Sequence, residues 1–411
     1  MSVSTRLPER LFALDLGTTK FCIAALRTFS TGQAPLLETI SVPAAGMRRG
    51  MVADLEKAAT AIASLLEAAE KQFDCDIRSV VVGIAGSHLG GKKITSSLAL
   101  EGAAVTFQSL KTMSQQAEVQ NQVVDREILH TIPLHFRIDN RDAIENPVGF
   151  SGRMLHGEYF LINADQPYLK DIVRLCNQCG LEVKKLYSEP FASASVTVDD
   201  VKKEVGVVIA DIGGGTTDGI VFQQSKPCGA FSVNIAGSMM TSDLAIGLNL
   251  SPAEAERVKV FFGLSPDQNR SLNVRNLNGE IKQITGRDVF PILGSRIYEL
   301  GTALVKELIT YKGKLGAGLL LTGGGSEVQG IDTFLHRYIK IPVAKVFPSL
   351  PTVNSATNEP RSSLVYPSKF ATALGLLNLE ICRLQESAHD QQSGWPMKYV
   401  NHLKMWLREL A

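Results

Sequence analysis

Two short stretches of this 411-residue chain carry residue types that can hold a polyphosphate. The first is Leu14-Asp15-Leu16-Gly17-Thr18-Thr19-Lys20, and the second is Ala210-Asp211-Ile212-Gly213-Gly214-Gly215-Thr216-Thr217-Asp218. Each lies between apolar runs, 11–14 and 21–26 for the first, 205–210 and 219–222 for the second, a pattern that predicts strand, glycine turn, strand. Such a turn presents backbone N–H groups to an anion, and glycine lets the backbone come close to it. Asp15 and Asp211, at strand ends beside the expected phosphates, make chemical sense with a divalent cation between carboxylate and phosphate. One Asp-x-Gly-x-Thr also fits an ordinary turn. Its recurrence 196 positions later (211 minus 15), with the same flanks, points to a duplicated fold and a clamp made of two hairpins. A third strand-to-glycine turn, 319–326 with Gly323, Gly324 and Gly325, fits a plain tight turn or a further nucleotide contact.

Periodicity supplies the elements that position these loops. Residues 54–71 keep helical spacing of apolar positions, and 80–86 read as a buried strand. From 87 to 161 the texture shifts to short segments with polar faces, 93–100, a helix near 109–122 and then 127–138, which suggests an inserted subdomain. The run 159–162 reads as a strand returning to the parent sheet. An amphipathic helix through 171–180 follows, then a small-residue helix entered through Pro190. In the second half 251–262 is helical with a capping signal, 280–308 is mainly helical with one interruption at 286–291, 348–361 is a loop, and 370–383 is a last core helix. The resulting layout is 1–86 and 162–204 as one domain interrupted by 87–161, then 205–382 as a second domain. That second domain contains an inserted part at about 237–313 and closes with the helix 370–382.

Composition narrows the function classes. Apolar content of 45% supports about two domains, and 42 basic against 41 acidic residues give no general pull toward nucleic acid. No secretory signal or spanning segment is read. Six scattered cysteines suit a reducing compartment. Cys176 and Cys179 form a C-x-x-C that fits helix packing or, without a second ligand pair nearby, less readily a redox or metal site.

The end of the chain carries a separate message. Residues 383–394 are polar and read as a tether, whereas 395–411 turn amphipathic. Trp395, Tyr399, Val400, Leu403, Trp406, Leu407 and Leu410 recur at helical spacing, with Lys398 and Lys404 on the other side. Such a helix would lie flat on an anionic membrane surface, or dock on its own domain with the same stripe.

Together these residues resemble the actin and sugar-kinase superfamily, α/β proteins with two ribonuclease H-like domains around a nucleotide cleft. Within it the chain is similar to the FtsA family of bacterial cell-division proteins. The segment from Ile128 through Pro133 to Asp139, Asn146-Pro147-Val148-Gly149-Phe150-Ser151-Gly152 and the tethered tail carry that similarity. The resemblance implies ATP and Mg2+ as ligands. Gly17, Thr18 and Thr19, with Lys20 ending the same loop, would face the phosphates from one side, and Gly213, Gly214, Gly215 and Thr216 from the other. Asp15 and Asp211 would orient magnesium through water. Glu189 stands where the superfamily polarises attacking water, or serves as a helix N-terminal carboxylate. Glu256 and Lys259 would hold adenosine, or simply form a solvated helix face. Gly323, Gly324 and Gly325 would support adenine and ribose, and Gly237, in a turn lacking the superfamily's second glycine, would lie on the ribose side.

The resemblance further implies an actin-like filament built through the inserted subdomain, and the C-terminal peptide of the tubulin-like FtsZ as partner, with Arg296 a contact. It also implies other division proteins as partners, and a peripheral place on the cytoplasmic face of the cell membrane at the division site. At most slow ATP hydrolysis is expected. The alternatives are a small-molecule kinase of the same fold and a pilus-assembly adaptor.

Overall fold

The computed structural model describes residues 8–28, 36–353 and 360–393. Two five-stranded sheets form the frame, and they share one topology. In the first the order is Glu182–Ser188, Ser79–Ile84, Arg10–Leu16, Lys20–Arg27, Leu36–Pro43; in the second it is Val343–Lys345, Gly318–Thr322, Val207–Ile212, Thr217–Gln223, Lys226–Val233. In each, three consecutive strands make an antiparallel meander, and two later strands add in parallel beside the first. The duplication inferred from the two glycine loops is thus a duplication of whole sheets. The molecule has the actin-like two-domain fold.

Between Ser79–Ile84 and the returning helix Gln166–Gln178 lies a separate four-stranded antiparallel sheet, Leu89–Ala99, Met154–Asp165, Arg126–Ile138 and Arg141–Ile144, covered on one face by the helix Phe107–Gln120. The run 159–162 belongs to this inserted sheet and does not rejoin the parent sheet; Glu182–Ser188 makes that return. Its continuous apolar character has a physical cause. Tyr159 and Leu161 pack under the inserted helix, while Phe160 and Ile162 pack on the opposite face with Ala194, Ile209, Ile220 and Phe222. A strand buried on both faces loses the polar alternation that marks a half-exposed one. The insertion is therefore wedged against the second lobe.

Residues 280–308 also differ from the helical reading. Ile281–Thr285 is a strand paired with Ser271–Arg275, and the helix begins at Gly286, with Thr285 and Asp288 forming its capping box. Pro291 lies inside that helix without ending it. The segment 348–361 is not simply a loop, because Ser349–Val353 pairs with Pro360–Val365.

The helix Ala371–Ser393 continues through most of the stretch read as a tether, and the amphipathic segment 395–411 lies outside the described residues. This closing helix crosses Glu189–Thr197 so closely that a Cβ on Gly375 would stand 2.0 Å from the Ala192 carbonyl oxygen. Asn378 ties the crossing by donating to Ser195 Oγ at 3.2 Å. Among the described residues no helix is long and apolar enough to cross a membrane.

Candidate functional site

Every residue singled out for phosphate, metal or adenosine contact lines one cleft of about 840 Å3 between the lobes. The two hairpins face each other across it. A Cβ on Gly214 would lie 2.4 Å from Thr19 Cγ2, and one on Gly215 would lie 2.3 Å from Thr18 Oγ1, so glycine at both positions is what lets the loops meet. The second loop is tied to the helix Gly237–Leu248, for Gly237 N–H donates to the Gly213 carbonyl at 3.0 Å and Ser238 N–H to Gly214 at 2.8 Å. Gly323, at φ +82°, approaches so closely that a Cβ there would sit 2.1 Å from Asp211 Oδ1. The third glycine turn therefore meets the second at the Asp211 carboxylate, while the first meets the second at Gly214 and Gly215.

Charge is distributed unevenly. In the first hairpin Lys20 Nζ contacts Asp15 Oδ2 at 2.5 Å. Burial alone would depress the Lys20 ammonium, but Asp15 above all, with Cys22 and Asp211, lifts it above its ordinary range. In the second hairpin Asp211 accepts from Ser193 Oγ at 2.6 Å and Thr372 Oγ1 at 3.1 Å, and burial still pushes its carboxyl up to about 6. Asp218 stands directly opposite Asp211 in the register. It accepts from Thr216 Oγ1 at 2.6 Å and, across the cleft, from Gly86 N–H at 3.2 Å, and burial raises its pKa too. Asp218 belongs to the quoted motif but went unassigned; its seven-residue spacing from Asp211 across a tight hairpin is the signal that places both carboxylates on one face.

Glu189 begins the helix Glu189–Thr197 at the floor of the same cleft. Gly83 makes room for it, since a Cβ there would lie 2.7 Å from Glu189 Cγ. Burial, then the charges of Asp15, Asp218 and Asp211, raise its carboxyl well above the usual range, with Lys20 opposing. A carboxyl tuned upward in a cleft can accept a proton from water near neutral pH, and the same crowding favours a cation among these groups.

Of the carboxylates that line the cleft, four, those of Asp15, Asp211, Asp218 and Glu189, gather around the two hairpins with Lys20 beside them. Among the described residues no three His, Cys, Asp or Glu side chains stand close enough to hold a metal ion by themselves. This donor set fits a divalent ion held chiefly by phosphate oxygens and water, with carboxylates behind.

At the other end of the cleft, Glu256 and Lys259 pair at 2.7 Å on the helix Pro252–Phe262. Lys259, only 7% exposed, also donates to Thr241 Oγ1 at 3.0 Å and to the Gly237 carbonyl at 3.3 Å. Lys259 is thus buried in the wall, while Glu256, its side chain 49% exposed, reaches it from the solvated face of the helix. Arg296 lies elsewhere. Its guanidinium holds Asp243 in a two-pronged contact at 2.6 and 2.9 Å and Glu299 at 2.5 Å, bolting Gly286–Leu308 to Gly237–Leu248. The membrane-contact residues proposed in the tail fall outside the described residues. Cys176 is buried and Cys179 packs on helix Leu55–Phe73 through the Ala59 carbonyl, so the C-x-x-C serves the core.

Comparison with known proteins separates this cleft from its many superfamily equivalents. A family profile described as "Cell division protein FtsA" matches residues 208–375, and one described as "SHS2 domain inserted in FTSA" matches 86–163, the inserted sheet and helix. The chain belongs to the FtsA family.

Cell division protein FtsA of Escherichia coli K12 is 27% identical over 96% of this chain and 97% of its own length. The FtsA of Borreliella burgdorferi is 27% identical over 95% and 94%. Among solved structures, the PilM-PilN type IV pilus biogenesis complex matches with a TM-score of 0.62 at 17% identity, over 90% of this chain and 98% of that one. MreB5 of Spiroplasma citri bound to ADP matches with 0.53 at 15%, over 92% and 98%. At such identities these structures establish the actin-like fold alone. The family match establishes an actin-like cell-division protein.

Proposed function

We propose that this FtsA-family chain binds magnesium-ATP across the interlobe cleft and uses it to set lobe closure, and thereby assembly into an actin-like filament. The filament would anchor FtsZ to the cytoplasmic face of the membrane at the division site. The observation that carries the reading is the meeting of two duplicated glycine loops over four carboxylates, of which Asp15 and Asp218 are buried. When bound, the magnesium-phosphate unit supplies the positive charge that this acidic cleft lacks and the negative charge that its turn amides suit. The chain's own residues do the rest. Gly213–Thr216 and Gly17–Thr19 present their backbones, the Glu256–Lys259 pair walls the adenosine end, and Asp218 bonds across the lobes to Gly86.

Glu189 can polarise a water, but a small-molecule kinase would have no use for the amphipathic stripe of 395–411, which favours a conformational clamp with slow hydrolysis. The amphipathic stripe of 395–411 supports membrane attachment. Arg296, already held by Asp243 and Glu299, would meet the FtsZ peptide with the two N–H donors that these carboxylates leave unused.

The test is co-sedimentation with anionic liposomes, ATP and FtsZ, comparing the full chain with one ending at Ser393. Nucleotide-promoted pelleting of FtsZ with the full chain, lost on truncation and in Trp406→Glu, is expected. Equal pelleting by the truncated chain would remove the tail's membrane role. Rapid phosphorylation of a sugar or acyl acceptor would replace the clamp with a kinase.

A further inference from the structure

Three lysines line the cleft, and two of them are already committed. Lys20 is bound to Asp15 at 2.5 Å, and Lys259 is buried against Glu256 at 2.7 Å. Lys369 differs. It sits on the short turn Ser368–Phe370 that opens the closing helix, is exposed, and has no carboxylate partner among the described residues. Its surroundings fix its place. Ser368 Oγ donates to the Val346 carbonyl at 3.3 Å, Phe370 N–H bonds back to Pro367 at 3.0 Å, and a Cβ on Gly324 would stand 3.8 Å from Lys369 Cβ. Its Cβ therefore lies beside the third glycine turn, and the side chain lines the cleft with its ammonium over the Phe370 ring. Three residues on, Thr372 touches Asp211.

A cation at the opening turn of a helix is disfavoured by the positive end of the helix dipole unless an anion lies nearby. With Lys20 and Lys259 neutralised by carboxylates, Lys369, whose ammonium lies 5.0 Å from the centre of the Phe370 ring, is the lysine of the cleft left without an anionic partner among the described residues, available to a ligand that carries several negative charges.

Building on the nucleotide reading above, we infer that Lys369 is a phosphate-binding residue: its ammonium contacts the diphosphate of the nucleotide from the closing-helix side. This couples occupancy to the helix that leads into the C-terminal tail. Because the contact is to phosphate, it should affect ADP and ATP but not adenosine. Because it is a charge-assisted hydrogen bond, its loss should be felt by about tenfold in affinity.

The test is calorimetric titration of the full chain with magnesium-ADP and with adenosine, at low and moderate salt, for the unaltered protein, Lys369→Ala and Lys369→Arg. Expected are an ADP affinity about tenfold weaker in Lys369→Ala, a shallower salt dependence, unchanged adenosine binding and recovery of most affinity in Lys369→Arg. ADP binding by the unaltered chain that Lys369→Ala leaves intact would overturn this inference alone. Equal loss for ADP and adenosine would also overturn it, by showing a structural effect. Failure of the unaltered chain to bind ADP at all would overturn it together with the nucleotide reading.

Discussion

The two hairpins are copies in shape and opposites in charge. At the common offset of 196 positions Gly17 answers to Gly213, Thr18 to Gly214, Thr19 to Gly215, Lys20 to Thr216 and Cys22 to Asp218. The first hairpin presents one carboxylate, Asp15, matched by the ammonium of Lys20. The second presents two, Asp211 and Asp218, supported only by hydroxyls and a backbone N–H. Where the loops touch, they complement each other crosswise, with Thr19 against Gly214 and Thr18 against Gly215. Duplication explains the matched sheets, and divergence at four of these five positions explains the division of labour. The near-neutral side can face phosphate, whereas the acidic side calls for a cation.

Making the copies alike should break the arrangement. Cys22, fully buried in strand Lys20–Arg27, is the counterpart of Asp218 but lacks its supporting Thr216 hydroxyl and cross-lobe N–H. Cys22→Asp places a second carboxylate next to Asp15 in a site whose burial already lifts the native thiol to about 12. The cost should be about 4 kcal/mol of folding stability, measured by urea unfolding. Cys22→Ser is the control and should lose much less. A stable Cys22→Asp protein would mean that the two halves tolerate the same charge, and the division of labour would be wrong.

The crosswise contact offers a second test. Gly215→Val introduces branches where even a Cβ would lie 2.3 Å from Thr18 Oγ1 and 3.0 Å from Arg49 Cα. The loops should be held apart and magnesium-ATP affinity should fall about 100-fold, or about 2.7 kcal/mol, with unfolding little changed. Thr18→Gly added to Gly215→Ala should recover part of what Gly215→Ala alone loses, in a double-mutant cycle of binding. Simple additivity would show that the loops do not meet in the binding-competent form.

Much of this was legible because the signals are local. Alternating apolar residues around Gly17 and Gly213–Gly215 mark hairpins, and Asp54 caps its helix by accepting from Lys57 N–H at 3.1 Å. What escaped depended on distant partners. The strand at 281–285 has one buried residue in Ile284 and an exposed Ile281, a spacing of three that imitates a helix until Ser271–Arg275 pairs with it. The run 159–162 was misplaced because its second covering layer comes from the other lobe. Thr372 and Lys369 reach the cleft from more than 150 positions beyond Asp211, through a helix crossing that no periodicity encodes.

The smallest effect expected is also the most diagnostic of the acidic half. Burial raises Asp211 from 3.8 to about 6 despite the bonds from Ser193 and Thr372. The folded chain therefore holds this proton to higher pH than the unfolded chain does. Between about pH 4 and 6 it binds more protons than the unfolded chain, and stability from this group falls as pH rises through that window. Near pH 7.5 the native protein bears the full cost of the buried charge. Asp211→Asn keeps acceptors for Ser193 and Thr372 and removes the charge, so it should be more stable by about 1–2 kcal/mol at pH 7.5, with the gain fading toward pH 4.5. His88, whose pKa burial lowers, titrates with the opposite consequence for stability, and Glu189 and Asp218 are raised as Asp211 is. All three remain in both proteins, so the difference between the two unfolding curves reports Asp211 together with the relief that its neutralisation gives Glu189, and both act in the same direction. The same variant should bind magnesium-ATP much more weakly. A stability difference that stays constant from pH 4.5 to 7.5 would mean that Asp211 carries no such burden, and the acidic hairpin would lose its claim to need a cation.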